Sequence, residues 1–131
     1  MSRQMGEVPT REFKPGDSIF REGDDARGEA YMVHLGKVEI RKRFGDDDRV
    51  LRVLGKGELI GEIALFRPAP RSASAVAAEP VTLLVISANR LDHMVRTNPA
   101  LAIALIRQLA TRLLEAEDRL KESEARAAKH P

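Results

Sequence analysis

The chain has 131 residues, enough for one domain with its own core but with little room for a second. Its net charge is +2 and both signs are mixed along the chain, so the sequence shows no concentrated basic face for direct nucleic-acid binding. With no cysteine, disulfides and thiolate metal sites are excluded. No apolar run approaches the length that spans a bilayer, and residues 1–9 lack a signal peptide's apolar segment, so we expect a cytoplasmic protein without membrane insertion.

The first two thirds of the chain predict a β-rich domain. Residues 1–11 have no periodic pattern, so we expect a flexible N-terminal arm, and we assign residues 12–131 to a single domain. Within residues 12–86, short runs of Val, Ile, Leu, Tyr and Phe are separated by glycines, a pattern typical of a β-roll or barrel. The clearest hairpin joins residues 37–44 to 49–54 through Gly-Asp-Asp-Asp at 45–48, an acidic turn that suits a cation but is ordinarily just solvated.

Residues 87–128 predict helices. Ser87 is placed to cap a short helix that ends near Arg96, and Asn98 with Pro99 marks the start of a second helix that extends to about Ala127. In its first half, additional apolar residues are expected to pack on the roll: Leu101, Ile103 and Leu105.

A heptad stripe continues along the second helix. It consists of Ile106, Leu109, Leu113, Ala116, Leu120 and Ala127. Beyond Glu115 the helix is charged on most sides, so this stripe is longer than the roll can cover. We therefore expect a homodimer through the C-terminal helix.

The segment 61–76, GEIALFRPAPRSASAV, contains the groups that a small phosphodiester requires. Glu62 opens a run that can form one helical turn, and Arg71 closes the segment after two prolines. A carboxylate accepts from sugar hydroxyls, and a guanidinium binds a phosphate through a fixed fork of donors. The free N–H groups of a helix start add an anion site, so the segment predicts a cyclic-nucleotide site.

Residues 61–65 and 70–73 resemble the phosphate-binding cassette of the cyclic-nucleotide-binding domain. Catabolite-activator-type regulators, cyclic-nucleotide-gated channels and regulatory subunits of protein kinase A share this domain. The resemblance extends to strand patterns upstream and to Asn98-Pro99 at the start of the family's lid helix. It implies a mainly β fold with C-terminal helices: a β-roll (a double-stranded β-helix, jelly-roll-like) with a cassette helix and a long C-terminal lid helix.

The resemblance also implies a role for each site residue. Glu62 is expected to accept from the ribose 2′-hydroxyl and Arg71 to pair with the phosphate, on the family pattern. Ser72 would contact the phosphate or the 2-amino group of guanine, whereas Ala at this position generally goes with adenine in the family. Ser is compatible with both bases, so cAMP is the first choice and cGMP stays open. Arg112 of the lid helix would either stack on the base or be an ordinary solvent-exposed helix residue. The remaining ligand-binding residues are Gly61, Ile63, Ala64 and Ala73, while Leu59, Ile60 and Val53 are assigned to the pocket wall or, more readily, the core.

The expected function is a binding module, not an enzyme: a cyclic-nucleotide sensor without a cofactor that signals through closure of its C-terminal helix. Its effector protein is not identified by the sequence. One alternative is a sensor fragment of a larger transcription regulator or channel, and another is a dimerisation domain that has lost its ligand. A cupin-like metalloenzyme is disfavoured, because His34, His93 and His130 are scattered over strand, helix and tail.

Overall fold

The fold is a roll of eight strands followed by two helices, in a computed structural model that describes residues 8–129. Two short 3-10 helices lie at Glu62–Leu65, here called the cassette helix, and at Ala88–Arg90. The strands are β1 Thr10–Phe13, β2 Ser18–Phe20, β3 Glu29–Leu35, β4 Val38–Phe44, β5 Asp47–Leu54, β6 Leu59–Ile60, β7 Ser74–Ala77 and β8 Val81–Ser87. The α-helices are α1 Leu91–Thr97 and α2 Pro99–Lys129.

The strands form two antiparallel four-stranded sheets, in the orders β1-β8-β3-β6 and β2-β7-β4-β5. Alternating apolar side chains of both sheets meet between them, as expected where one face of each strand is buried. The buried members of this core are Tyr31, Val33, Val38, Leu54, Ile60, Ala75, Ala77, Val81, Leu83 and Val85. The predicted mainly β roll with C-terminal helices is therefore confirmed.

The β4–β5 hairpin has a tighter turn than the sequence predicted. Asp47 already pairs with Phe44, and Asp48 with Arg43, so only residues 45–46 connect the strands. The carboxylate of Asp48 accepts from Arg41 at 2.9 Å, and that of Asp47 lies 3.3 Å from Arg49. Arginines therefore contact two of the three carboxylates of this turn. Elsewhere too, residues 8–129 contain no cluster of three or more His, Asp or Glu side chains that could hold a metal ion.

One expected boundary differs from the structure, and one expected helix cap lacks its hydrogen bond. β1 begins at Thr10 and pairs with β8, so the last two residues of the expected arm belong to a strand, while residues 1–7 lie outside the described part of the chain. Ser87 does precede a helical turn, but its side chain makes no capping hydrogen bond. Asn98 is placed as predicted, with its carbonyl accepting from the Leu101 N–H at 3.0 Å at the start of α2.

A second apolar cluster fixes the helices on the roll. It contains Ala30, Leu59, Leu65, Ile86, Met94, Leu101 and Leu105. Leu101 and Leu105 are buried as predicted, whereas Ile103 is 50% exposed because it faces away from the roll. Farther along α2, the heptad leucines Leu113 and Leu120 are about 60% exposed. In the part of the chain that the structure describes, no helix is both long enough and apolar enough to cross a membrane.

Candidate functional site

A cavity of about 380 Å³ lies between the cassette helix, strands β4 and β5, and helix α2. This volume falls at the lower end of the range typical of small-molecule sites. All eight predicted ligand-binding residues line it: Gly61, Glu62, Ile63, Ala64, Arg71, Ser72, Ala73 and Arg112. The fold thus brings the whole predicted set to one place.

Glu62 enters the cavity at the start of the cassette helix. Gly61 turns the chain there with φ of 70°, a left-handed conformation that favours glycine, and its carbonyl accepts from the Ala64 N–H at 3.2 Å. The Glu62 residue is only 5% exposed. Its Oε1 accepts from Nη1 of Arg112 at 3.2 Å, so helix α2 is joined to the cassette by a largely buried ion pair. Ile63 also lines the cavity, but half of its surface is exposed.

Arg71 lines the cavity, as expected for a phosphate ligand, and is also buried at the edge of the core. It is only 7% exposed, and its Cζ lies 4.1 Å from the ring centroid of Phe20. Its Nη2 donates to the Glu29 carbonyl at 2.8 Å and, more weakly, to the Ala26 carbonyl at 3.5 Å. The side chain therefore serves the edge of the core as well as the cavity.

The charge of Arg71 is only partly compensated by the protein. Its buried Nε finds no hydrogen-bond partner within the described residues. Burial lowers the pKa of Arg71, although a guanidinium remains cationic at neutral pH. A buried cation with an unused donor beside an open cavity favours binding of an anion.

Gly61 and Arg71 meet in space although nine residues separate them. A Cβ on Gly61 would overlap Nη1 of Arg71, so only glycine permits this approach. The Arg71 segment is fixed from the other side, where its N–H donates to the Asp24 carbonyl at 2.8 Å and its carbonyl accepts from the Gly23 N–H at 2.8 Å. These contacts hold the guanidinium next to the start of the cassette helix.

Ser72 and Ala73 continue along the cavity wall. The Ser72 carbonyl accepts from the ammonium of Lys42 at 2.7 Å. The hydroxyl of Ser74 accepts from the Glu22 N–H at 2.8 Å. Thus the backbone from Ser72 onward is anchored to neighbouring strands.

Sequence reasoning missed several cavity residues. Arg52 of β5 lines the cavity, and its Nη2 lies 3.4 Å from the carboxylate of Glu115 on α2. Phe20 and Ile40 also line it.

Val53, assigned to the wall or core, is instead 51% exposed, because the strand's alternation turns Arg52 inward and its neighbour outward. No sequence signal identified Arg52, because the apolar Leu51 and Val53 flank it and a register shift between Ile40 and Arg41 interrupts the pairing of β4 with β5. Leu59 and Ile60, by contrast, are buried and also line the cavity.

Comparison with known proteins agrees with this geometry. The family model described as "Cyclic nucleotide-binding domain" matches residues 10–98. The chain is 41% identical over 121 residues to the cyclic AMP receptor protein of Thermus thermophilus, a match that covers 88% of this chain and 55% of the relative. The chain spans about half the length of the curated relatives it matches first.

Solved structures show the same fold. The catabolite activator protein of Thermus thermophilus superposes with a TM-score of 0.76 at 36% identity, covering 89% of this chain and 55% of that one. The regulatory domain of Toxoplasma gondii PKA, crystallised with cAMP, gives a TM-score of 0.61 at 27% identity, covering 66% of this chain and 33% of that one. The family match spans all eight strands of the roll and includes the cassette, so the chain belongs to the cyclic-nucleotide-binding domain family.

Proposed function

We propose that this domain is a cAMP sensor, with cGMP as the alternative ligand, and that α2 transmits the bound state to a partner. One observation carries the proposal: a single cavity presents the buried carboxylate of Glu62 and the buried guanidinium of Arg71 from the two ends of one segment. The family is a regulatory one, and we infer binding, not catalysis, from the groups that this cavity offers.

The phosphate is assigned to Arg71 and the surrounding backbone. The guanidinium is held by the Phe20 ring and the Glu29 carbonyl, so little side-chain freedom is lost when an anion binds. Its unpartnered Nε is a donor that no existing contact uses, and a small shift of the buried side chain would bring it to the anion. The N–H groups at the start of the cassette helix and at Ala73 would complete the anion's shell.

The ribose is assigned to Glu62. A carboxylate has about four lone-pair sites, so Glu62 can accept from a 2′-hydroxyl while Arg112 still donates to it. This arrangement would link the sugar to α2 through one shared carboxylate. Discrimination against a 2′-deoxy ligand follows, because Glu62 would then stay buried without that hydrogen bond.

The base is assigned to the part of the cavity beyond the ribose, where Ile40 and Leu54 are apolar and Arg112 can stack. Ser72 tolerates either purine. We favour cAMP because the Thermus thermophilus relative is named a cyclic AMP receptor and the Toxoplasma gondii structure contains cAMP.

Signalling is assigned to α2. Since Arg112 connects this helix to Glu62, a ligand that changes this contact shifts the population between positions of the helix. The exposed heptad stripe of α2 supports a homodimer through this helix as part of the proposal. An excised piece of a longer regulator or channel fits the partial coverage of the relatives.

A ligand panel tests the assignment. Calorimetric titrations would compare cAMP, cGMP, 2′-deoxy-cAMP and linear AMP at one salt concentration. We expect cAMP to bind in the micromolar range, since a ligand of this size yields about −0.3 kcal/mol per heavy atom, or roughly −7 kcal/mol. Equal affinity for cAMP and linear AMP would contradict a site shaped for a cyclic phosphodiester.

A further inference from the structure

Helix α2 contacts the roll beside the cavity through three polar side chains on one stripe. Gln108, Arg112 and Glu115 follow at intervals of four and three residues, so they lie on the same helix face. Arg112 makes a largely buried ion pair with Glu62, and Glu115 makes a partly exposed one with Arg52. Gln108 makes a contact of another kind: its Oε1 accepts from the Leu59 N–H at 2.7 Å, and its Nε2 donates to the Leu59 carbonyl at 2.6 Å.

The backbone of Leu59 requires such a partner. β6 is the edge strand of its sheet, with β3 as its neighbour on one side. At Glu58, immediately before β6, the backbone carbonyl accepts from the Val33 N–H of β3 at 2.9 Å. Backbone groups alternate sides along a strand, so those of Leu59 point away from β3. The Leu59 residue is fully buried, and orphaned backbone groups there would be costly. The amide of Gln108 has the donor and acceptor of a peptide group and replaces the missing neighbouring strand.

We propose that Gln108 is a positioning residue for the nucleotide site. Its paired hydrogen bonds fix both the height and the rotation of α2 against β6. One turn later, about 6 Å along the axis, Arg112 meets Glu62, which lies three residues after Leu59. Gln108 is thus the fixed point, and the ion pair of Arg112 with Glu62 is the contact that the ribose would share. This inference rests on the proposed function, since Glu62 is its ribose acceptor.

The test compares Gln108→Met with Arg107→Met, which places the same side chain at the adjacent, exposed position. Met is about as long as Gln, but its side chain cannot form the two hydrogen bonds that Gln108 makes with the backbone of Leu59 in β6. We expect Gln108→Met to weaken cAMP binding about tenfold. Without the two hydrogen bonds to Leu59, α2 spends less time in the position that allows cAMP to bind. The ratio of cAMP to 2′-deoxy-cAMP affinity should also fall, since Arg112 no longer holds Glu62. Arg107→Met should change neither value.

Amide hydrogen exchange of the wild-type chain gives a second readout that needs no variant. The Leu59 amide should be protected equally with and without cAMP, while the amides of the cassette helix become more protected on binding. Loss of Leu59 protection when cAMP binds would overturn the role of Gln108 as a fixed point.

The remaining outcomes separate this inference from the proposed function. Weaker cAMP binding with an unchanged 2′-deoxy ratio would show a merely structural contact and overturn the positioning role. A Gln108→Met chain that binds like the wild type would overturn it as well, and both results leave the cAMP assignment standing. A wild-type chain that binds no cyclic nucleotide would overturn both.

Discussion

Replacing Arg71 with Met removes the proposed phosphate ligand and a contact of the core at once. The guanidinium stacks 4.1 Å from the Phe20 ring centroid and donates to the Glu29 carbonyl at 2.8 Å. Met fills much of the same space without charge or donors. We therefore expect a large loss of affinity together with a small change in stability.

The two effects differ in size. A hydrogen bond to a charged group contributes about 1.5–3 kcal/mol, so cAMP affinity should fall about 10- to 100-fold. Loss of the cation–π contact with Phe20 costs about 0.5–2 kcal/mol of unfolding free energy, and the Glu29 carbonyl left without its donor costs about 1–3 kcal/mol more. Removing a desolvated charge offsets part of this loss, and we expect a net change smaller than about 2 kcal/mol.

Calorimetric titration with cAMP measures the first effect of Arg71→Met and urea unfolding the second. Arg67→Met is the matched control, because Arg67 is an exposed arginine on the same segment that does not line the cavity. The control should bind cAMP as the wild type does. If Arg71→Met binds cAMP within about threefold of the wild type while folded, the phosphate lies elsewhere.

Further predictions concern Gly61, Glu62, Tyr31 and the distal part of α2. Gly61→Ala would place a Cβ against Arg71 at φ of +70°, so urea unfolding should show a loss of about 1–3 kcal/mol, and wild-type stability would contradict the required close approach. Glu62→Gln should weaken cAMP binding and narrow its advantage over 2′-deoxy-cAMP in competition titrations; an unchanged advantage would remove Glu62 from the ribose site. Burial raises the pKa of Tyr31, so its contribution to stability is complete below about pH 10 and is lost as pH rises through the folded-state value. Tyr31 is the single tyrosine, so tyrosinate absorbance reads it directly, and a midpoint below that of the unfolded chain would contradict this direction. Deleting residues 116–131 should weaken self-association measured by light scattering but largely spare cAMP affinity, whereas a wild-type monomer at high micromolar concentration, with and without cAMP, would refute the dimer.

The sequence predicted local features well where one residue type decides the backbone. Asn98 with Pro99 placed the start of α2, and the glycine-separated apolar runs predicted the roll. The family resemblance identified eight of the residues that line the cavity.

Features that depend on contacts between distant residues were not predictable in this way. The burial of Arg71 depends on Phe20 and on a carbonyl of β3, neither of which its neighbours in sequence reveal. The predicted N-terminal arm extended two residues too far toward the C-terminus, because Thr10 pairs with Leu84 of β8, more than seventy residues later. Gln108 gave no sequence signal, since a lone Gln on a helix is ordinarily a solvated residue.

The central claim is tested most directly by calorimetric titration of the purified wild-type chain with cAMP. We expect saturable heat release with one site per chain and a dissociation constant in the micromolar range, accompanied by a rise in unfolding temperature. The absence of both heat release and thermal shift at millimolar cAMP and cGMP would contradict the proposed sensor function.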